Sequence, residues 1–292
     1  MRKFFGLLAA ITIFTALPSR ADVTLFDYPV APDTCSTIES RCNYLVQHFW
    51  DKCELAKPFD ERNDSLLVEA MATYLDIMRA GANVNVSLAS IRDLMFKAQG
   101  NHTNFERLMA VAEFLLYARP TPVIDDVYLT FAQSAADASW AKKEFREHYG
   151  DQVQRIKNTK LGEPVTDLEL TLVDGTKTRL RDLAATADVT FVFITDYAVE
   201  SNLDRTRLYT DIAVNAALDN GSLKVVNIMA GDVPKSWDET SRNYSARWTV
   251  GASKNAMDVL DLRILPCVIV LDREGKVQAK NLTVDNIKGM VQ

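Results

Sequence analysis

The sequence predicts an all-α half followed by an α/β half. Apolar residues recur at helical spacing from Ile38 to Ile156, the mark of helices that bury one face. From Leu168 the period changes to two, with Leu168, Leu170 and Leu172 alternating with polar residues. Two apolar runs then follow, Val189–Asp196 and Cys267–Leu271, which read as strands buried on both faces. No segment repeats at a fixed length, so a solenoid is not supported.

The elements follow in order. Ser36-Thr37-Ile38-Glu39 reads as a capping box, with Ser36 and Glu39 satisfying each other's backbone donors. It opens a helix carrying Ile38, Leu45, Val46, Phe49 and Trp50. A second helix runs from about Asp64 on the stripe Leu67, Ala70, Met71, Tyr74, Leu75 and Met78, and Gly81 stops it. A third covers about Leu88–Ala98 and ends at Gly100. A fourth starts near Thr103 and stops before Pro120. Thr121-Pro122 restarts the chain as cap and first helical residue, with Asp125 and Asp126 in the favoured first turn. The last helix of this half spans about Ala138–Ile156.

In the second half, Asp174-Gly175 reads as a two-residue hairpin turn between a strand ending near Leu172 and a partner over Thr178–Leu183. The strand Val189–Thr195 leads into a helix over Ala198–Leu218 and a strand over Leu223–Met229. A variable segment with Trp237, Tyr244 and Trp248 follows, where a binding surface and packing over the sheet are both open. A short helix at Asn255–Leu260 leads to Pro266, the strand Cys267–Leu271, a turn at Asp272–Gly275, the strand Lys276–Ala279 and a final helix.

The first residues carry an address. Arg2 and Lys3 precede the apolar run Phe4–Leu17, which is short for a bilayer, and Ser19-Arg20-Ala21 is a small-x-small cleavage site. The domains are therefore set at 1–21 (signal peptide), 22–33 (leader), 34–158 (helical) and 159–292 (α/β). An uncleaved anchor is the alternative. Losing Arg2, Lys3 and Arg20 takes the formal charge from −6 to −9, which disfavours nucleic acid as a partner. The basic stretch Lys142–Lys160 interleaves Glu144, Glu147 and Asp151 and reads as a solvated helix face.

Four cysteines, Cys35, Cys42, Cys53 and Cys267, enter an oxidising compartment. On one helix Cys35 and Cys42 would lie about 10 Å apart, beyond disulfide reach, so free thiols are expected and a cross-domain bridge stays open. His48, His102 and His148 lack metal-ligand spacing, and no Gly-rich phosphate loop occurs; no metal and no cofactor are expected.

The second half resembles the thioredoxin-like domains of secreted Gram-negative proteins of the thiol-disulfide interchange type. The resemblance rests on the opening hairpin Asp167–Leu183, the approach Val259-Leu260-Asp261-Leu262-Arg263-Ile264-Leu265-Pro266 to a cis-proline, and the turn Asp272-Arg273-Glu274-Gly275-Lys276-Val277. The first half resembles a helical domain of unknown function that precedes such domains, through Arg41-Cys42-Asn43-Tyr44-Leu45-Val46-Gln47-His48-Phe49-Trp50-Asp51. The resemblance implies a thioredoxin fold and places the two redox positions at Ala198 and Ser201, facing Leu265 and Pro266. Neither Ala198 nor Ser201 forms a thiolate, so neither attack nor resolution of a mixed disulfide is available there.

The expectation is a periplasmic protein with no catalytic residue at this vacated site, binding or scaffolding another periplasmic or envelope protein or peptide, with no stable membrane insertion. The alternative is a thiol-disulfide oxidoreductase or thiol-dependent enzyme using Cys267, the one candidate catalytic residue. A third reading makes the helical half the interaction module. Glu200 reads as a helix-start carboxylate rather than an acid catalyst. The mature chain is expected to begin near Asp22. Mass spectrometry of the secreted protein checks this, and Met1 retained in a membrane fraction would contradict it.

Overall fold

The computed structural model describes residues 24–118, 125–196, 198–232, 242–287 and 290. The signal segment, the Thr121-Pro122 cap and Trp237 lie outside the described residues. Among the described residues no helix is long and apolar enough to cross a membrane.

Among the described residues the first half has six α-helices: α1 (Ile38–His48), α2 (Asp64–Gly81), α3 (Val84–Ala98), α4 (His102–Leu116), α5 (Asp125–Ala136) and α6 (Lys143–Asn158). One hydrophobic core runs through them, from Cys42 and Val46 to Ile156. The cap of α1 corrects the expected one by a single residue. Thr37, not Ser36, is the N-cap, and its partner is Ser40 rather than Glu39. This register turns Ile38 out to solvent, so it is not a core residue. The helix α3 starts four residues before the expected point because Asn83 accepts from the Asn85 backbone N–H. Conversely α6 starts at Lys143, since the chain from Ala138 to Ala141 is held in a turn.

Two polar or aromatic devices hold loops onto this core. The leader packs Phe26 edge-on against Phe49, with Tyr28 beside it. Buried Asn104 on α4 donates to the carbonyls of Leu55 (2.7 Å) and Lys57 (2.6 Å) and accepts from Phe59 N–H (3.0 Å). A side-chain amide thus satisfies three backbone groups of a segment that has no helix or strand to do so.

The second half is a seven-stranded sheet. Its strands are β1 (Glu169–Leu172), β2 (Lys177–Arg179), β3 (Val189–Thr195), β4 (Leu223–Ala230), β5 (Thr249–Ser253), β6 (Cys267–Asp272) and β7 (Val277–Leu282). They lie in the order β2-β1-β5-β4-β3-β6-β7. Strands β3, β4 and β5 are parallel; β6 and β7 continue antiparallel on one side and β1 and β2 on the other. Among the described residues its helices are α7 (Leu180–Ala184), α8 (Val199–Thr210), α9 (Ile212–Asp219), α10 (Ala256–Val259) and α11 (Val284–Ile287). Central β3 feeds both faces: Val192 and Ile194 join one core, Phe191 and Phe193 the other.

Three expectations need correction here. The first hairpin closes around Val173–Gly175 rather than a two-residue turn, with Leu172 O accepting from Gly175 N and Leu172 N donating to Thr176 O. Gly175 takes φ +82°, the left-handed position such a loop requires. The partner strand ends at Arg179, and Leu180–Ala184 turns into α7 so that Leu180 and Ala184 reach the core. The long helix after β3 is two helices, because the Asp211 side chain accepts from Val214 N–H (3.0 Å) and starts a new one. Strand β5 follows Trp248 and had no counterpart in the sequence reading.

A buried charge cluster joins the halves. Arg263 and Lys280 come from the sheet half, Asp261 from the loop before β6, and Asp125 from the first turn of α5. The side chains of Asp261, Arg263 and Lys280 have 0% exposure and Asp125 has 6%. Arg263 binds Asp261 (2.9 Å) and Asp125 (2.9 Å), donates to Leu116 O (3.1 Å), and lies over the Tyr117 ring at 4.7 Å. Lys280 Nζ sits 2.6 Å from Asp261 and 2.8 Å from Asp125. Burial alone would raise the Asp261 carboxyl, but Lys280 and Arg263 outweigh it and hold the pKa below its ordinary value. Beside the cluster, Asp261 N–H donates to Thr159 Oγ1 (3.1 Å) and Asn158 Nδ2 to Val259 O (3.0 Å).

Removing one member of such a cluster strands a charge in low dielectric. Lys280→Met is therefore expected to cost about 3–5 kcal/mol, read as a lower urea midpoint. The depressed Asp261 pKa contributes stability above the unfolded value near about pH 4, lost as pH falls through the folded pKa. Asp261→Asn should flatten that acid limb of the stability profile.

Candidate functional site

Strand β3 delivers the chain to the site. Its ladder with β6 runs to Ile194↔Cys267, so Pro266 falls opposite Thr195, at the point where β3 gives way to α8. The Leu265–Pro266 peptide is cis. The sequence-predicted positions Ala198, Ser201, Leu265 and Pro266 are thus brought to one end of the sheet, at the N-terminus of α8.

Ala198 is the N-cap of α8 and has no side chain to cap with. Asp196 replaces that function. Its Oδ1 accepts from Ala198 N–H (3.0 Å) and from Ser201 Oγ–H (2.6 Å), while Ser201 Oγ accepts from Asp196 N–H (3.2 Å). The carboxylate sits where the helix dipole favours an anion. Buried Ser201 therefore has its proton committed to Asp196 and its oxygen to a backbone N–H. The two bonds tie the end of β3 to the first turn of α8. Asp196 went unassigned in the sequence reading. The available signal was an acidic residue at a strand end, five residues before a helical serine.

The solvent side of α8 is apolar at the same place. Val199 is 68% exposed and Leu203, one turn on, is 55% exposed. Glu200 lies in the first turn, exposed, as a helix-start carboxylate. Leu265 is half-buried and stands outside the β6 ladder.

Cys267 does not join this site. It pairs with Ile194 across the ladder and shares that residue's face and core, whereas Leu208 of α8 packs in the core on the opposite face. It is 1% exposed, and burial, with Asp261 adding to it, pushes its thiol up to about 12. At neutral pH such a thiol carries almost no thiolate. All four cysteines are unpaired; Cys53 is also pushed up to about 12 by burial and Glu54.

The remaining candidates resolve into packing. Trp248 is buried near Phe193, and Arg205 lies over the Tyr244 ring at 4.9 Å. His48 meets Asp51 (2.7 Å), His102 stacks on Trp140, and His148 meets Glu113 (2.9 Å). Among the described residues no group of three metal-ligating side chains forms.

Cys267 should resist alkylation by iodoacetamide in the native protein at pH 8 and react only on unfolding, while partly exposed Cys35 reacts without it. Peptide mass mapping over time separates the two. Fast native labelling of Cys267 would contradict the burial described above.

Residues 14–159, half of the 292-residue chain, match a family described as a domain of unknown function (DUF5106). No curated protein matches the chain. A thioredoxin-like protein from Bacteroides caccae shares the fold, with a TM-score of 0.78 over 92% of this chain and 98% of its own, at 18% identity. The C-terminal domain of an uncharacterized Bacteroides fragilis protein, 22% identical, covers 46% of this chain and 98% of its own with a TM-score of 0.43. The thioredoxin domain of a Bacteroides vulgatus thiol-disulfide oxidoreductase, 18% identical, covers 45% and 98% with a TM-score of 0.38. The helical half and the sheet order together place the molecule: this chain belongs to the DUF5106 family, and its second half has the thioredoxin-like fold.

Proposed function

We propose that this protein is a non-catalytic binding module of the periplasm, which holds a polypeptide partner on the face formed by the start of α8 and the cis-proline loop. One observation carries the reading. The positions that would hold the redox pair are Ala198 and Ser201, and Ser201 is locked to Asp196 by two hydrogen bonds. The scaffold around them is kept, and the adjacent α8 surface presents Val199 and Leu203 to solvent. An apolar ridge beside a chain segment outside the ladder suits an extended peptide, whose side chains would cover the ridge. The Cys267 alternative is disfavoured by the depth of that thiol, its placement on the other face of the sheet, and its raised pKa.

The test has two arms. The purified protein is expected to give no insulin reduction; activity that vanishes in Cys267→Ser would establish the enzymatic alternative instead. A photo-crosslinking amino acid placed at Val199 or Leu203 in the native host is expected to yield an adduct of discrete mass. The same probe at Phe96, exposed on α3, should not. Adducts from Phe96 alone would move the interaction to the helical half.

A further inference from the structure

A groove in the helical half, far in sequence from the vacated site, has a charge pattern that nothing above explains. It has a volume of about 390 Å³ and lies between α3, α5 and α6. Leu88 and Leu129, both half-buried, form its apolar part. Two cations and two carboxylates line it. The carboxylates are engaged: Asp126 pairs with Lys160 (3.4 Å), and Asp137 accepts from Gln133 Nε2 (3.0 and 3.1 Å). The cations have no acidic partner among the described residues. Among the described residues Lys157 reaches only Gln133 Oε1, at 3.4 Å, and Arg92 makes no hydrogen bond or ion pair.

From this asymmetry we propose that the groove is a binding site for a small organic carboxylate with an aliphatic body. The carboxylate lies between Arg92 of α3 and Lys157 of α6, and its chain lies on Leu88 and Leu129. A guanidinium takes a carboxylate bidentately, which fixes its orientation, and the ammonium adds charge without geometric demand. The volume is at the small end of ligand pockets and suits a body of a few methylenes. A second acid-bearing group would meet Asp126 and Asp137, so a monocarboxylate fits better than a dicarboxylate. The site is independent of the reading given to the α8 face.

The probe is sodium hexanoate, titrated into the full mature protein and followed by amide chemical shifts, with hexanol as the uncharged control. Saturable shifts are expected at Arg92 and Leu129, with hexanol at least about tenfold weaker. The double variant Arg92→Gln/Lys157→Gln should remove hexanoate binding while keeping a native amide spectrum, since both residues are exposed and neither belongs to the core. Adipate should bind more weakly than hexanoate. Equal binding of hexanol, binding retained in the double variant, adipate binding as tightly as hexanoate, or no saturation by about 50 mM would each overturn the proposal.

Discussion

The buried cluster of Asp125, Asp261, Arg263 and Lys280 is the constraint on which the arrangement of the two halves depends. Four charges leave water together, and the cost of their desolvation is offset only when each finds its partners. The partners come from both halves. Asp125 and the Leu116 carbonyl belong to the helical half, and the other three residues to the sheet half. A shift of either half would open the pairs of Asp125 with Lys280 (2.8 Å) and Arg263 (2.9 Å) in a place water does not reach. The cluster therefore specifies geometry more than it adds stability. Asp261 and Arg263 also anchor the segment that ends at Pro266, with Arg263 N–H held by Asn281 Oδ1 at 2.9 Å. The helical half thus helps fix the loop that borders the candidate site.

At that site the physical chemistry of a helix N-terminus sets the arrangement of Asp196, Ala198 and Ser201. A helix start buried against a sheet has orphan N–H groups and a positive dipole end. Ala198 cannot answer either, so Asp196 supplies the charge and Ser201 supplies the reciprocal bond. Cys267 lies in a different environment. It sits on the far face of β6, among Ile194, Ile228 and Leu260, where nothing stabilises a thiolate. A thiol one residue beyond the proline is close in sequence to the site and on the wrong side of the sheet from it.

Features that depend on local period and local turn chemistry are legible in the residues alone. The stripes from Leu67 to Met78 and from Phe105 to Leu116 define α2 and α4, and the apolar run Phe191–Ile194 of β3 marks a strand buried on both faces. That Ala198 and Ser201 carry no thiol was equally legible, because it needs only residue identity. Short-range competition blurred the ends: Thr37 rather than Ser36 caps α1, and Asp211 splits one expected helix into two. The rest depends on contacts between residues far apart in the chain. Asp125 and Lys280 meet across more than half the chain, Asp196 closes on Ser201, and the side of the sheet that Cys267 faces follows from its register with β3. Charges that are cheap in water become structural only once folding removes the water, and no local pattern records which charges will be buried together.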